Sequence, residues 1–182
     1  MTTLDWIAQI VGIFAMAFNI LSYQQKTRSG AIAFQLVGGL LFSVNFFMLG
    51  AIVGGILNVI AAIRAVIFLN KEKLHADHPI WLACFIATFV ATYILSFTVF
   101  EKAPTAVNFV IELLPVIGMT ATTISFRLTD AKSIRRYGLI SSPSWLIYNI
   151  ANFSVGAICC EVMSLCSIII GIFRFDRHKK SE

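Results

Sequence analysis

Charge is scarce in this chain: fourteen Lys and Arg and nine Asp and Glu are spread over 182 residues, 13% of the total, against about 25% in an ordinary soluble domain. So few charges cannot clothe a water-exposed surface. Histidine is rarer still. His75, His78 and His178 fall in loops or the tail, with no HExxH pattern, no paired nucleophile and no second ligand at metal spacing. Cys84, Cys159, Cys160 and Cys166 lie inside apolar runs, where they act as small apolar groups and imply neither a disulfide framework nor a zinc site. The expectation is therefore a protein that is not an enzyme, with no catalytic residue, no metal and no cofactor. The first segment opens on Asp5 and Trp6 and lacks the basic start and cleavage site of a signal peptide, so it is read as retained.

What is abundant is hydrocarbon. The chain is 58% hydrophobic with a mean hydropathy of +0.85, which marks an integral membrane protein. Apolar runs predict seven helices, at 5–24, 32–49, 51–69, 79–99, 104–126, 136–153 and 155–174. Tight turns at "MLGA" and "SVGA" join the second helix to the third and the sixth to the seventh.

The few charges are sorted. Twelve of the fourteen basic residues fall in the breaks after the first, third and fifth helices or in the tail: Lys26, Arg28, Lys71, Lys73, Arg127, Lys132, Arg135, Arg136, Arg174, Arg177, Lys179 and Lys180. Lys102 stands alone on the other side, and Arg64 lies within a run. Lys and Arg of short loops stay on the cytoplasmic side, which predicts a multi-pass protein of a bacterial inner membrane with its N-terminus outside and its C-terminus in the cytoplasm. The net charge of +5 is then an orientation signal, and no nucleic-acid partner is needed. Arg64, a turn or two from the cytoplasmic end, is expected to snorkel to the interface.

The basic break "SYQQKTRSG" has a later counterpart at 125–140. Sliding the chain by 106 residues superposes Gly12 on Gly118, Lys26 on Lys132 and "GAI" at 50–52 on "GAI" at 156–158. Two three-helix units follow, 5–70 and 104–176, separated by a linker helix at 79–99, so that the fold class is all-α membrane with 3+1+3 parallel repeats related by an axis along the membrane normal.

This arrangement resembles the SWEET sugar carriers, the PnuC vitamin-precursor carriers and the wider PQ-loop (MtN3-like) superfamily. More closely, "SYQQKTRSG" followed by "LGAIVGGILNVIAAIRAVIF" is similar to the YgjV-like family of bacterial inner-membrane proteins. The chain departs from the PQ-loop pattern in reading Gln24-Gln25 for Pro-Gln and Asp130-Ala131 in the second unit. Gating prolines are matched only by Pro115 and Pro143, with Gln9 and Val37 at the paired positions. The resemblance to sugar carriers implies that Asn58 and Tyr148 hold substrate, with Ser164 and Phe42 as their mates by repeat.

Helical spacing gives each helix except the linker one small or polar stripe. Asn19 lies on the first, Phe42 and Asn45 on the second, Asn58 on the third, Trp145 and Tyr148 with neighbouring Asn149 on the sixth, and Ser164 on the seventh. Polar groups are costly in lipid, so these stripes should face the bundle interior and line a substrate pathway. Small and amide residues also glue helices together, and "GAIVG" at 50–54 is a packing motif that needs no substrate. Glu112 and Glu161, carboxylates within spans, are the expected proton or ion-coupling groups, and Glu112 is expected to open onto the same pathway.

Two functions remain on these grounds. One is a carrier, facilitated or proton-linked, for a small polar metabolite, working by alternating access between the two units. The other is a non-transporting receptor or assembly subunit on the same fold. The partners are that metabolite and the lipid bilayer, and association into a homo-oligomer stays open.

Overall fold

The computed structural model describes residues 3–48, 52–99, 102–151 and 155–176. Residues 49–51 and 152–154, where tight turns are expected, and the basic tail from 177 onward with His178, Lys179 and Lys180, lie outside the described residues. Among the described residues seven α-helices follow one another: α1 Thr3–Ser22, α2 Arg28–Met48, α3 Ile52–Leu69, α4 Pro79–Thr98, α5 Ala106–Arg127, α6 Ala131–Ala151 and α7 Val155–Gly171, the last continued by a π-helical turn, Ile172–Asp176. No strand occurs among the described residues.

Among the described residues three stretches are long and apolar enough to cross a membrane, Pro79–Thr98, Ala106–Arg127 and Ala157–Asp176, while Trp6–Ser22 and Leu57–Leu69 are shorter apolar stretches. Large hydrophobic side chains stand on the outside, among them Trp6, Ile13, Ile80, Val99 and Val107. Such surface is costly in water, at about 25 cal/mol per Å², and suits a hydrocarbon surround. The interior is instead built from small and hydroxyl residues such as Ala8, Ala15, Ala65, Thr123, Ser125 and Ser142, which let helix backbones approach.

Helices α2 and α6 begin earlier than their apolar runs suggest, at 28 and 131 rather than 32 and 136. Capping explains both. The Thr27 hydroxyl accepts from the Gly30 amide at 3.1 Å, and the Asp130 carboxylate accepts from the Ser133 amide at 2.7 Å and its hydroxyl at 2.9 Å, so each side chain satisfies an orphan donor of the first turn. Hydropathy does not register polar first turns. Most of the basic break therefore belongs to helix starts, and Arg28, Lys132, Arg135 and Arg136 project from ordered turns.

Helix α1 packs on α2 and α2 on α3, α5 on α6 and α6 on α7; the two sets meet through α1 with α7, α2 with α6 and α3 with α5, while α4 packs on α5. Long-range bonds knit one end of this bundle, the basic end. Arg28 donates to the carbonyls of Phe126 and Phe68, Lys71 to the Arg127 carbonyl at 2.5 Å, and Arg127 to the Asp77 carbonyl at 2.7 Å. Arg135 pairs with Asp176 at 2.5 Å and donates to the Gln25 carbonyl at 3.1 Å. The basic residues thus cap carbonyls that helix ends leave unpaired. Phe68, Phe85, Phe89 and Phe126 fill the space above them.

Candidate functional site

Above that knit end lies a cavity of about 670 Å³, within the range of small-molecule sites. It runs from Gln9 in α1 and Ala157 in α7, near the opposite end, down to Tyr23, Arg64 and Phe126. Six of the eight residues expected to meet a substrate line it: Asn19, Phe42, Asn45, Asn58, Trp145 and Asn149. Tyr148 and Ser164 do not stand on this wall. Tyr148 sits edge-on to Trp145, ring centroids 5.8 Å apart, and Ser164 is wholly buried.

The lining is positioned by packing. The Trp145 ring lies against Gly118, where a Cβ would meet ring atoms at 3.0 Å, so a larger residue would have to push the ring aside by a few tenths of an ångström. Asn45 donates to the Ala8 carbonyl at 2.6 Å and crowds Gly12, which pins α2 to α1; its amide is already used in structure. Ser43 likewise donates to the Gly55 carbonyl at 3.1 Å and holds α2 to α3. Asn19 reaches the Cys160 sulfur at 4.0 Å, joining α1 to α7 across the cavity.

The two carboxylates part company. Glu161 of α7 lines the cavity, as do Tyr23, just past α1, and Cys160. Glu112 instead pairs with Lys102 at 2.6 Å and is not on the cavity wall. The expectation that it opens onto the pathway is not met: Lys102 lies within reach of its carboxylate and holds it away from the cavity wall.

Arg64 departs from expectation too. Rather than snorkelling, it is 6% exposed and lines the cavity. Its Nη1 donates to the Met119 carbonyl at 3.1 Å and the Thr123 hydroxyl at 3.2 Å, and the guanidinium lies over the Phe126 ring, 5.2 Å from its centroid. The packing of α3 on α5 draws the side chain inward. A signal was present in the sequence: Arg64 stands three residues from Ala61 and seven from Leu57, both on the cavity wall, and that spacing shares a helix face. No group of three or more metal-ligating side chains occurs among the described residues.

A family model described as "Imp-YgjV: Bacterial inner membrane protein" matches residues 6–179. The chain is also similar to a curated protein, "Inner membrane protein YgjV" of Escherichia coli (strain K12), at 28% identity over 178 residues, covering 98% of this chain and 89% of that one. No solved structure matches.

Proposed function

Because the chain belongs to the YgjV family of bacterial inner-membrane proteins, we propose that its seven helices all cross that membrane and that the cavity carries a small polar metabolite across it. The basic end faces the cytoplasm, as loop Lys and Arg do. The N-terminus is then outside, the C-terminus inside, and the cavity is held shut on the cytoplasmic side. Glu161, and not the paired Glu112, is the candidate for linking transport to protons.

One observation supports the reading: residues 103 positions apart in the chain come together on the wall of one cavity. Helices α2 and α6 are each 21 residues long, and they begin at 28 and 131, an offset of 103 where sequence alignment suggests 106. The same bond recurs at that offset, Ser22 Oγ donating to the Asn19 carbonyl at 2.6 Å and Ser125 Oγ to the Thr122 carbonyl at 2.7 Å. In this register Met16 matches Met119, Asn19 matches Thr122, Phe42 matches Trp145 and Asn58 matches Glu161. All eight line the cavity. A site built from paired positions of two parallel repeats, with α4 packed to one side, suits a carrier that works by rocking one unit against the other. The departures then have a function as well: Glu161, at the counterpart of Asn58, gives one half of the site a carboxylate that the other lacks.

The sealed cytoplasmic end also suits a receptor pocket that binds without transporting. Proteoliposomes incubated in a mixture of small polar metabolites, with vesicle contents read by mass spectrometry, separate the two. A carrier enriches a specific compound inside protein-containing vesicles over empty ones; a receptor leaves the two sets of contents alike.

A further inference from the structure

The cavity holds an arginine that no carboxylate among the described residues pairs. Arg64 is 6% exposed; among the described residues no carboxylate lies within ion-pair distance of it, and its buried Nε has no hydrogen-bond partner. A guanidinium does not shed its proton to escape burial, and an unpaired buried charge is costly. Elsewhere this chain meets that cost directly. Arg135, 3% exposed, is gripped by both oxygens of Asp176, at 3.1 and 2.5 Å. Arg64 receives only a carbonyl, a hydroxyl and the face of Phe126, neutral partners that hold the group in place without cancelling its charge.

We propose that the cavity takes a small monocarboxylate, whose carboxylate group sits against the Arg64 guanidinium. This rests on the reading of the cavity as a ligand site and names what enters it. A planar carboxylate fits the planar fork of arginine, and it supplies the missing acceptor for Nε. A doubly charged phosphate fits less well: among the described residues Arg64 is the only Lys or Arg on the wall, which also carries Glu161. Tyr23, Phe42, Phe126 and Trp145 offer aromatic surface to the body of the ligand.

Thermal unfolding of the purified full chain in nanodiscs tests the assignment without requiring transport. The probes are benzoate and lactate, each against its amide of equal size, benzamide and lactamide, at constant ionic strength. A ligand of the folded state raises the midpoint by mass action, so near saturation both carboxylates should raise it by about 3 °C or more, and the amides should not. Arg64→Gln should abolish the shift, and Arg64→Lys, which keeps charge but loses the fork, should weaken binding about tenfold. Equal shifts from acid and amide, no shift from either acid, or an undiminished acid shift in Arg64→Gln would overturn the proposal. Should Arg64→Gln not fold, wild-type affinity in Arg64→Lys overturns it instead. Acid binding without uptake of any metabolite strikes the carrier reading alone, and uptake without acid binding strikes the carboxylate alone.

Discussion

Gln24 donates through Nε2 to both oxygens of Ser167, the carbonyl at 2.6 Å and the hydroxyl at 2.9 Å, and that hydroxyl donates onward to the Ile20 carbonyl at 2.7 Å. The end of the first helix is thereby stitched to the last helix, directly beneath the cavity. Losing a buried hydrogen bond costs about 1 to 3 kcal/mol when a partner is left unpaired. Gln24→Ala should therefore lower stability by that order and shift the protein toward a state open to the cytoplasm. With Cys84, Cys160 and Cys166 replaced by serine, a membrane-impermeant maleimide applied from the cytoplasmic side should label Cys159, a cavity residue, several times faster in Gln24→Ala than in its parent. Equal rates would show that the stitch does not gate access.

Gly171 tests the same closure by sterics. A Cβ there would meet the Tyr23 backbone oxygen at 2.6 Å and the Arg135 side chain at 2.8 Å. The arginine can move, but backbone cannot without parting α7 from α1. Gly171→Ala should cost about 1 to 3 kcal/mol, the usual penalty of overpacking, read as a lower unfolding midpoint. A midpoint at or above the wild type's would mean that the two helices are not held so close.

The two carboxylates should behave oppositely. Glu112 is 7% exposed and bound to Lys102, so Glu112→Gln should lose about 1 to 3 kcal/mol of stability while transport keeps whatever dependence it has on a pH gradient. Glu161→Gln removes a proton-binding group from the cavity itself and preserves its shape. Its uptake should become indifferent to the gradient with little loss of stability. Uptake assays at equal and unequal pH across the vesicle membrane check both; gradient dependence surviving in Glu161→Gln would exclude that residue as the coupling group.

Seven helices and their interior polar stripes were legible in the sequence because hydropathy and helical spacing report directly on burial. Asn19, Phe42, Asn58, Trp145 and Asn149 reached the cavity wall as their spacing suggests. The register of the repeat proposed above is read differently from the sequence and from the helix starts. Matching "GAI" at 50 with "GAI" at 156 pairs Asn58 with Ser164 and Phe42 with Tyr148, whereas the capped helix starts pair them with Glu161 and Trp145. A slip of three residues rotates a helix by about 300°, enough to move a partner off the wall. Identity of small residues at turns is weak evidence for register; Thr27 and Asp130, which set the helix starts, carry it better. Arg64 escaped for another reason: a lone charge near a helix end reads as snorkelling until the neighbouring helix is known to cover it.

Reciprocal motion of the two ends is the central claim, and paired distance measurements test it without any knowledge of the substrate. With the native cysteines replaced, spin labels at Lys26 and Thr129 would report the cytoplasmic end, and labels at Trp6 and Val107 the other; all four positions are exposed. The account predicts two distance populations for each pair in nanodiscs, with conditions that favour the longer distance at one end favouring the shorter at the other. A single, unchanging distance for both pairs would contradict it.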